Sequence, residues 1–258
     1  MSNEISVFIM DVSRSSKKNV GSELSAYLQE VVVNLKDWTE KAGPIHVSHR
    51  AGDELVVVCR GYATAYTLAF YLSRIWKYPE HKPYFGLSFG EIDDDIDSLN
   101  IETWIHPLMK QARKANEILK SQQVRMQFRF ALPGLSNGNS YEVFSKQFET
   151  LFNTSLTLKQ EQINEQTDIQ SLVCSLYLIV GQQNKVSKYL GRTTSTISSH
   201  MKKGKAELIL NTFHDIVNVL NSLEQNTADH QIATLQKNIR HEITNRLQEY
   251  FPWERSSK

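Results

Sequence analysis

The chain has 258 residues, of which 40% are hydrophobic and 10% aromatic, enough apolar surface to build at least one buried core and to exclude wholesale disorder. Twenty-nine Lys and Arg against 28 Asp and Glu leave a net charge of +1, so bulk charge selects neither a nucleic acid nor a membrane, and any such role must come from local clustering. Cys59 and Cys174 lack CxxC spacing, and no secretory leader pattern or apolar run of about 20 residues occurs, which points to a cytoplasmic protein with no disulfide framework and no membrane partner.

The first half alternates between two periodicities. Ile5 to Val12 is an apolar, β-branched run of strand length, and Asn19 to Lys41 repeats apolar residues at helical spacing through Leu24, Leu28, Val31, Val32 and Leu35. Ile45 to Ser48 and Leu55 to Cys59 read as two short strands joined by a polar turn that contains Gly52. Tyr62 to Trp76 is a second helix, Tyr84 to Phe89 a strand before the acidic loop Glu91 to Asp97, Ile101 to Lys120 a helix, and Val124 to Leu132 a last strand. This order predicts a ferredoxin-like palm: strands one and two parallel, strand three inserted between them, and an antiparallel sheet covered on one face by helices.

Pro133 to Ser140, rich in Gly and Asn, marks a loop, and strand signals largely end there. Tyr141 to Phe152, Lys159 to Val180, Lys205 to Leu223 and Thr234 to Phe251 read as helices. The expected organisation is α+β, with a palm domain over 1–155 and an all-α domain over 156–258.

Residues 182–204 resemble a helix-turn-helix unit. Val186 and Leu190 give the first helix a packing face, Gly191 permits the turn, Thr193 or Thr194 can cap the second helix, and Ile197 with Met201 packs it back on the first. Six cations, Lys185, Lys188, Arg192, Lys202, Lys203 and Lys205, stand against the single acid Glu207 between positions 181 and 210. The expected DNA-contacting set is Lys188, Arg192, Thr193, Thr194, Ser195, Ser198, Ser199, Lys202 and Lys203, with cations on phosphates and small hydroxyls near base edges. The competing interpretation is a pair of surface helices joined by a glycine turn.

Asp11 ends the first strand, and Asp53 with Glu54 precedes the third, so antiparallel pairing of those strands brings the acids together. Adjacent carboxylates suit a magnesium ion that also holds substrate phosphates; the alternative is that Asp11 caps a turn and Asp53 and Glu54 are polar hairpin residues. The acidic loop lacks EF-hand spacing, His46, His49 and Cys59 lack a fourth ligand for zinc, and Trp38, Trp76, Trp104, Tyr66 and Phe70 read as core residues on helical faces.

Phe8-Ile9-Met10-Asp11 and the segment from His49 to Val57 resemble the first metal-site strand and signature hairpin of GGDEF-type and class III nucleotide cyclase palms. The segment Asp11 to Lys17, then Gly52-Asp53-Glu54-Leu55, Phe85 to Ile92 and Ala112-Arg113-Lys114-Ala115 occur in the order of the bacterial SatD family, which the chain resembles over most of its length. The resemblance implies a cyclase-like palm joined to a helix-turn-helix. Met109 stands where a cyclase would place its transition-state asparagine, which implies a palm that no longer synthesises and instead senses a nucleotide or dimerises. The expected function is a sequence-specific DNA-binding transcription regulator, a homodimer on double-stranded DNA, with magnesium and a nucleotide as candidate ligands and no catalytic residue. The alternative is a magnesium-dependent nucleotide-processing enzyme using Asp11 and Asp53.

Overall fold

Strand β1 (Asn3–Val12) has apolar side chains on both faces. Phe8, Met10 and Val12 enter one buried cluster and Ile5, Val7 and Ile9 another, so the strand must lie between two layers. The computed structural model describes residues 3–13, 21–50, 52–122, 126–133, 144–224 and 229–253. Arg14 to Lys17, Ala51 and the expected loop beyond Pro133 lie outside them.

Around β1 the sheet runs β2-β3-β1-β4-β5, with β2 (Ile45–His49), β3 (Leu55–Arg60), β4 (Pro83–Ile92) and β5 (Phe128–Phe130). β3 lies between β1 and β2 and is antiparallel to both. Gly52, at φ +99°, turns the chain between β2 and β3, a backbone region that side chains other than glycine rarely adopt.

Two expectations are corrected. The sheet is mixed, because β5 pairs parallel to β4; the intervening α3 (Pro107–Ser121) is a crossover, and a crossover returns the chain in the same direction. Helices also cover both faces. α1 (Gly21–Thr39) and α2 (Thr64–Arg74) share a core with Phe8, Met10, Leu55 and Val57, whereas α3 brings Leu108, Met109 and Ala112 against Ile5, Val7, Ile9 and Val58. Each large side chain fully buried in this way contributes about 1.5–3 kcal/mol.

The remaining described elements are helices: α4 (Ser145–Asn164), α5 (Asp168–Val180), α6 (Gln183–Leu190), α7 (Thr194–Lys203), α8 (Ala206–Ser222), α9 (Asp229–Asn245) and α10 (Leu247–Tyr250). The helix expected over 159–180 is two helices. Thr167 and Gln170 form a reciprocal capping box that starts α5 afresh. Position 155 lies inside α4, and the core is continuous across it: Phe213 of α8 stacks on Phe70 of α2 with ring centroids 4.2 Å apart. No helix among the described residues is long and apolar enough to cross a membrane.

Candidate nucleic-acid interface

α6 and α7 are held by three local devices. Val186 and Leu190 are buried, and Ser187, also buried, donates its hydroxyl to the Asn184 carbonyl at 2.9 Å. Gly191 ends α6 in the left-handed region (φ 63°, ψ 32°), and the Arg192 amide closes back on the Ser187 carbonyl at 3.0 Å. Thr193 then caps α7, its Oγ1 accepting from the Thr196 amide at 3.2 Å.

Once the turn is set, Ile197 and Met201 pack inward, Thr196 and His200 are half-buried, and the other side of α7 faces solvent. Thr194, Ser195, Ser198, Ser199, Lys202 and Lys203 are exposed, as are Lys188 and Arg192. Among the described residues no acid pairs with Arg192, Lys202 or Lys203. The predicted set thus forms one neighbourhood, with one qualification: the Thr193 hydroxyl is committed to the cap and to Ser195 and Thr196.

The anchors of this pair come from distant sequence. Trp253 Nε1 donates to the Leu190 carbonyl at 3.2 Å, and Tyr189 Oη donates to the Phe251 carbonyl at 2.6 Å. Gln166 donates to the Gly204 carbonyl at 2.6 Å, just past α7. Gly204 itself presses on α5, where a Cβ would meet Gln170 at 2.8 Å. Local spacing in the sequence carries no sign of these contacts, which depend on how α9 and α10 fold back.

The second predicted constellation lies on the α3 side of the sheet. Asp11 and Asp53 do meet: burial foremost, and the Asp53 charge beside it, push the Asp11 carboxyl up to about 6 against an opposing pull from Lys120. Yet the cation in this site is part of the chain. Lys120 forms an ion pair with Asp11, and Arg113 grips Glu54 through two hydrogen bonds of 2.8 and 3.1 Å. Arg50 adds Glu54 at 3.6 Å and Glu102 at 3.7 Å.

This donor set does not fit a resident magnesium ion. The carboxylates are already neutralised from within the chain, Asp11 by Lys120 and Glu54 by Arg113 and Arg50, so a metal ion would have to displace the Lys120 ammonium to reach Asp11, and no group of three or more His, Cys, Asp or Glu placed to hold a metal occurs among the described residues. No family model, curated protein or solved structure matches the chain.

Arg113 and Lys120 went unrecognised as counter-ions in the sequence, although their seven-residue spacing puts both on one side of α3. Trp104 is corrected too. It stands outside a helix and only borders the core, half-buried against the cluster of Ile5, Val7 and Ile9, while it donates Nε1 to Asp94 at 3.0 Å and stacks on His106 with centroids 4.7 Å apart. Trp38, Tyr66 and Phe70 are fully buried core residues on α1 and α2.

Proposed function

We propose that this chain is a sequence-specific DNA-binding transcription regulator in which α6 and α7 form a helix-turn-helix. The observation that carries this reading is the two-sidedness of α7: Ile197 and Met201 lock one side, while the other offers Ser195, Ser198, Ser199 and the exposed cations Lys202 and Lys203. Cations on phosphates supply salt-dependent affinity and short hydroxyl side chains let the helix approach base edges.

The sheet half is a non-catalytic, ferredoxin-like palm of the cyclase type, in keeping with the SatD resemblance. Three features support that reading: β3 inserted between β1 and β2, Met109 buried in the core, and the carboxylates Asp11 and Glu54 already neutralised by Lys120 and Arg113.

Reading a two-fold operator needs two heads about 34 Å apart, hence a second copy. Of the apolar positions on the helices over 205–223 and 234–251 that suit either such an interface or packing within one chain, Ile216, Leu220, Leu235, Ile239 and Ile243 are buried within the chain, Leu247 is partly buried and Leu208 is exposed. Leu208 and Val219 leave an exposed apolar edge on α8, and a second exposed row runs along α4 and its N-cap, where Phe144, Leu151 and Leu158 recur at seven-residue spacing.

Capture of genomic fragments by the purified protein at two salt concentrations, alongside Lys202→Ala/Lys203→Ala, tests the reading. A short, two-fold-related sequence should be enriched and then lost in the variant, with the salt slope reduced by about two. Binding without any sequence preference would overturn it.

A further inference from the structure

Arg74, the last residue of α2, has 9% of its surface exposed and no acid partner among the described residues. Its Nη2 donates to the Ser171 carbonyl at 3.1 Å and to Ser171 Oγ at 3.4 Å, while Nε has no partner. A guanidinium stays charged at any physiological pH. Burying it without a counter-ion is costly, unless an anion arrives.

Arg74 lines a cavity of about 500 Å³ at the junction of α2, the start of β4, the end of α4 and α5, a size that suits a small organic molecule. Lys82 adds an exposed second cation, and Ser171 and Ser175 bring hydroxyls. Asp168, the acid among the lining residues, is exposed and makes no ion pair with Arg74. Gln166 also lines the space, and its buried Oε1 lacks a donor.

We propose that this cavity binds a small organic oxyanion, a phosphate monoester or carboxylate that also carries a hydroxyl or amine. The oxyanion meets Arg74 and Lys82, where a planar guanidinium offers paired donors to two oxygens. The ligand's own donor meets Gln166 Oε1. The same Gln166 holds the Gly204 carbonyl at the end of α7 through its Nε2, and Glu165 beside it pairs with Lys205 at 2.8 Å. If the DNA-binding reading holds, the ligand is then an effector whose arrival bears directly on the reading helix; binding itself does not depend on that reading.

Thermal unfolding without DNA, in inorganic phosphate or acetate against chloride at equal ionic strength, tests the site. The wild type should gain about 3 °C in midpoint at an anion concentration ten times the dissociation constant. A response to phosphate identifies a phosphate ligand and a response to acetate a carboxylate, provided Arg74→Gln and Lys82→Gln lose at least half of it. No response to either anion, or an equal response in the variants, overturns the proposal. Should Arg74→Gln not fold, the exposed Lys82→Gln decides, an undiminished response there being the negative result. DNA affinity measured with and without the active anion then reports the coupling separately.

Discussion

Lys159 Nζ donates to Tyr66 Oη at 2.6 Å inside a cage of rings, 4.3 Å from the centroid of Phe70 and 5.0 Å from those of Tyr66 and Phe128. Burial foremost, and the positive charge of Arg74 beside it, hold this amine well below its ordinary value. The contact ties α4 to α2, so the sheet half and the helical half share a polar bond at the centre of a common core.

That bond has a pH signature. The unfolded chain keeps a proton on Lys159 up to about 10.4, whereas the folded chain sheds it earlier, so over that interval the unfolded state binds more protons and stability rises with pH. Replacing both partners by apolar groups of similar shape removes the penalty without orphaning either. Lys159→Met/Tyr66→Phe should be more stable at pH 7 by about 1 kcal/mol or more and show a flatter rise towards pH 10. Urea unfolding at several pH values measures both; parallel pH profiles for the two proteins would refute the assignment.

Gly86 of β4 sits where α3 crosses the sheet, and a Cβ there would lie 2.1 Å from the Ala112 carbonyl oxygen and 2.5 Å from the Asn116 amide. Both obstacles are backbone, so relief needs α3 to move off β4. Asn116 makes that movement worse, because its side-chain amide donates to the Ile9 carbonyl at 3.0 Å. Gly86→Ala should cost about 3 kcal/mol or more, read as a fall in the urea midpoint. A loss under 1 kcal/mol would mean that α3 is loosely seated.

Asp11 predicts the opposite pH trend. Its carboxyl is raised from 3.8 to about 6, so between these values the folded state holds the proton that the unfolded state has lost. Stability from this group is therefore greatest at low pH and falls as pH rises through 6, by at most about 3 kcal/mol. Asp11→Asn should abolish that part of the profile. Carbon-detected titration of the carboxyl in Lys120→Met should place it above 6, because the opposing cation is gone; a value below 4 in the wild type would refute the burial argument.

How far the sequence could be read follows from the range of each interaction. β1, α1 and the β2-β3 turn were legible because apolar period and Gly52 are local signals. So was the α6-α7 pair, since Gly191, the Thr193 cap and the Ile197-Met201 face lie within a dozen residues. Meeting of Asp11 with Asp53 was legible from strand order alone. What filled the site was not: Lys120 and Arg113 reach it only after α3 chooses the opposite face of the sheet. Likewise Ile216 and Ile239 advertise an apolar face without saying whose core it joins, and Lys159 reads as a surface lysine until α4 is laid against Tyr66.

The face of α4 makes the last prediction. An antiparallel pairing of two copies about a point midway between Leu151 and Leu158 places each of these against the other in its partner. Both are exposed. The apolar pattern is thus complementary to itself, as an isologous two-fold interface requires. Leu151→Glu/Leu158→Glu opposes like charges across that seam while leaving the core residues Phe152 and Leu156 in place. Sedimentation equilibrium should find a dimer for the wild type and a monomer for the variant, with unchanged unfolding at low protein concentration and weaker binding to a two-fold operator. A variant that remains dimeric would move the interface away from α4.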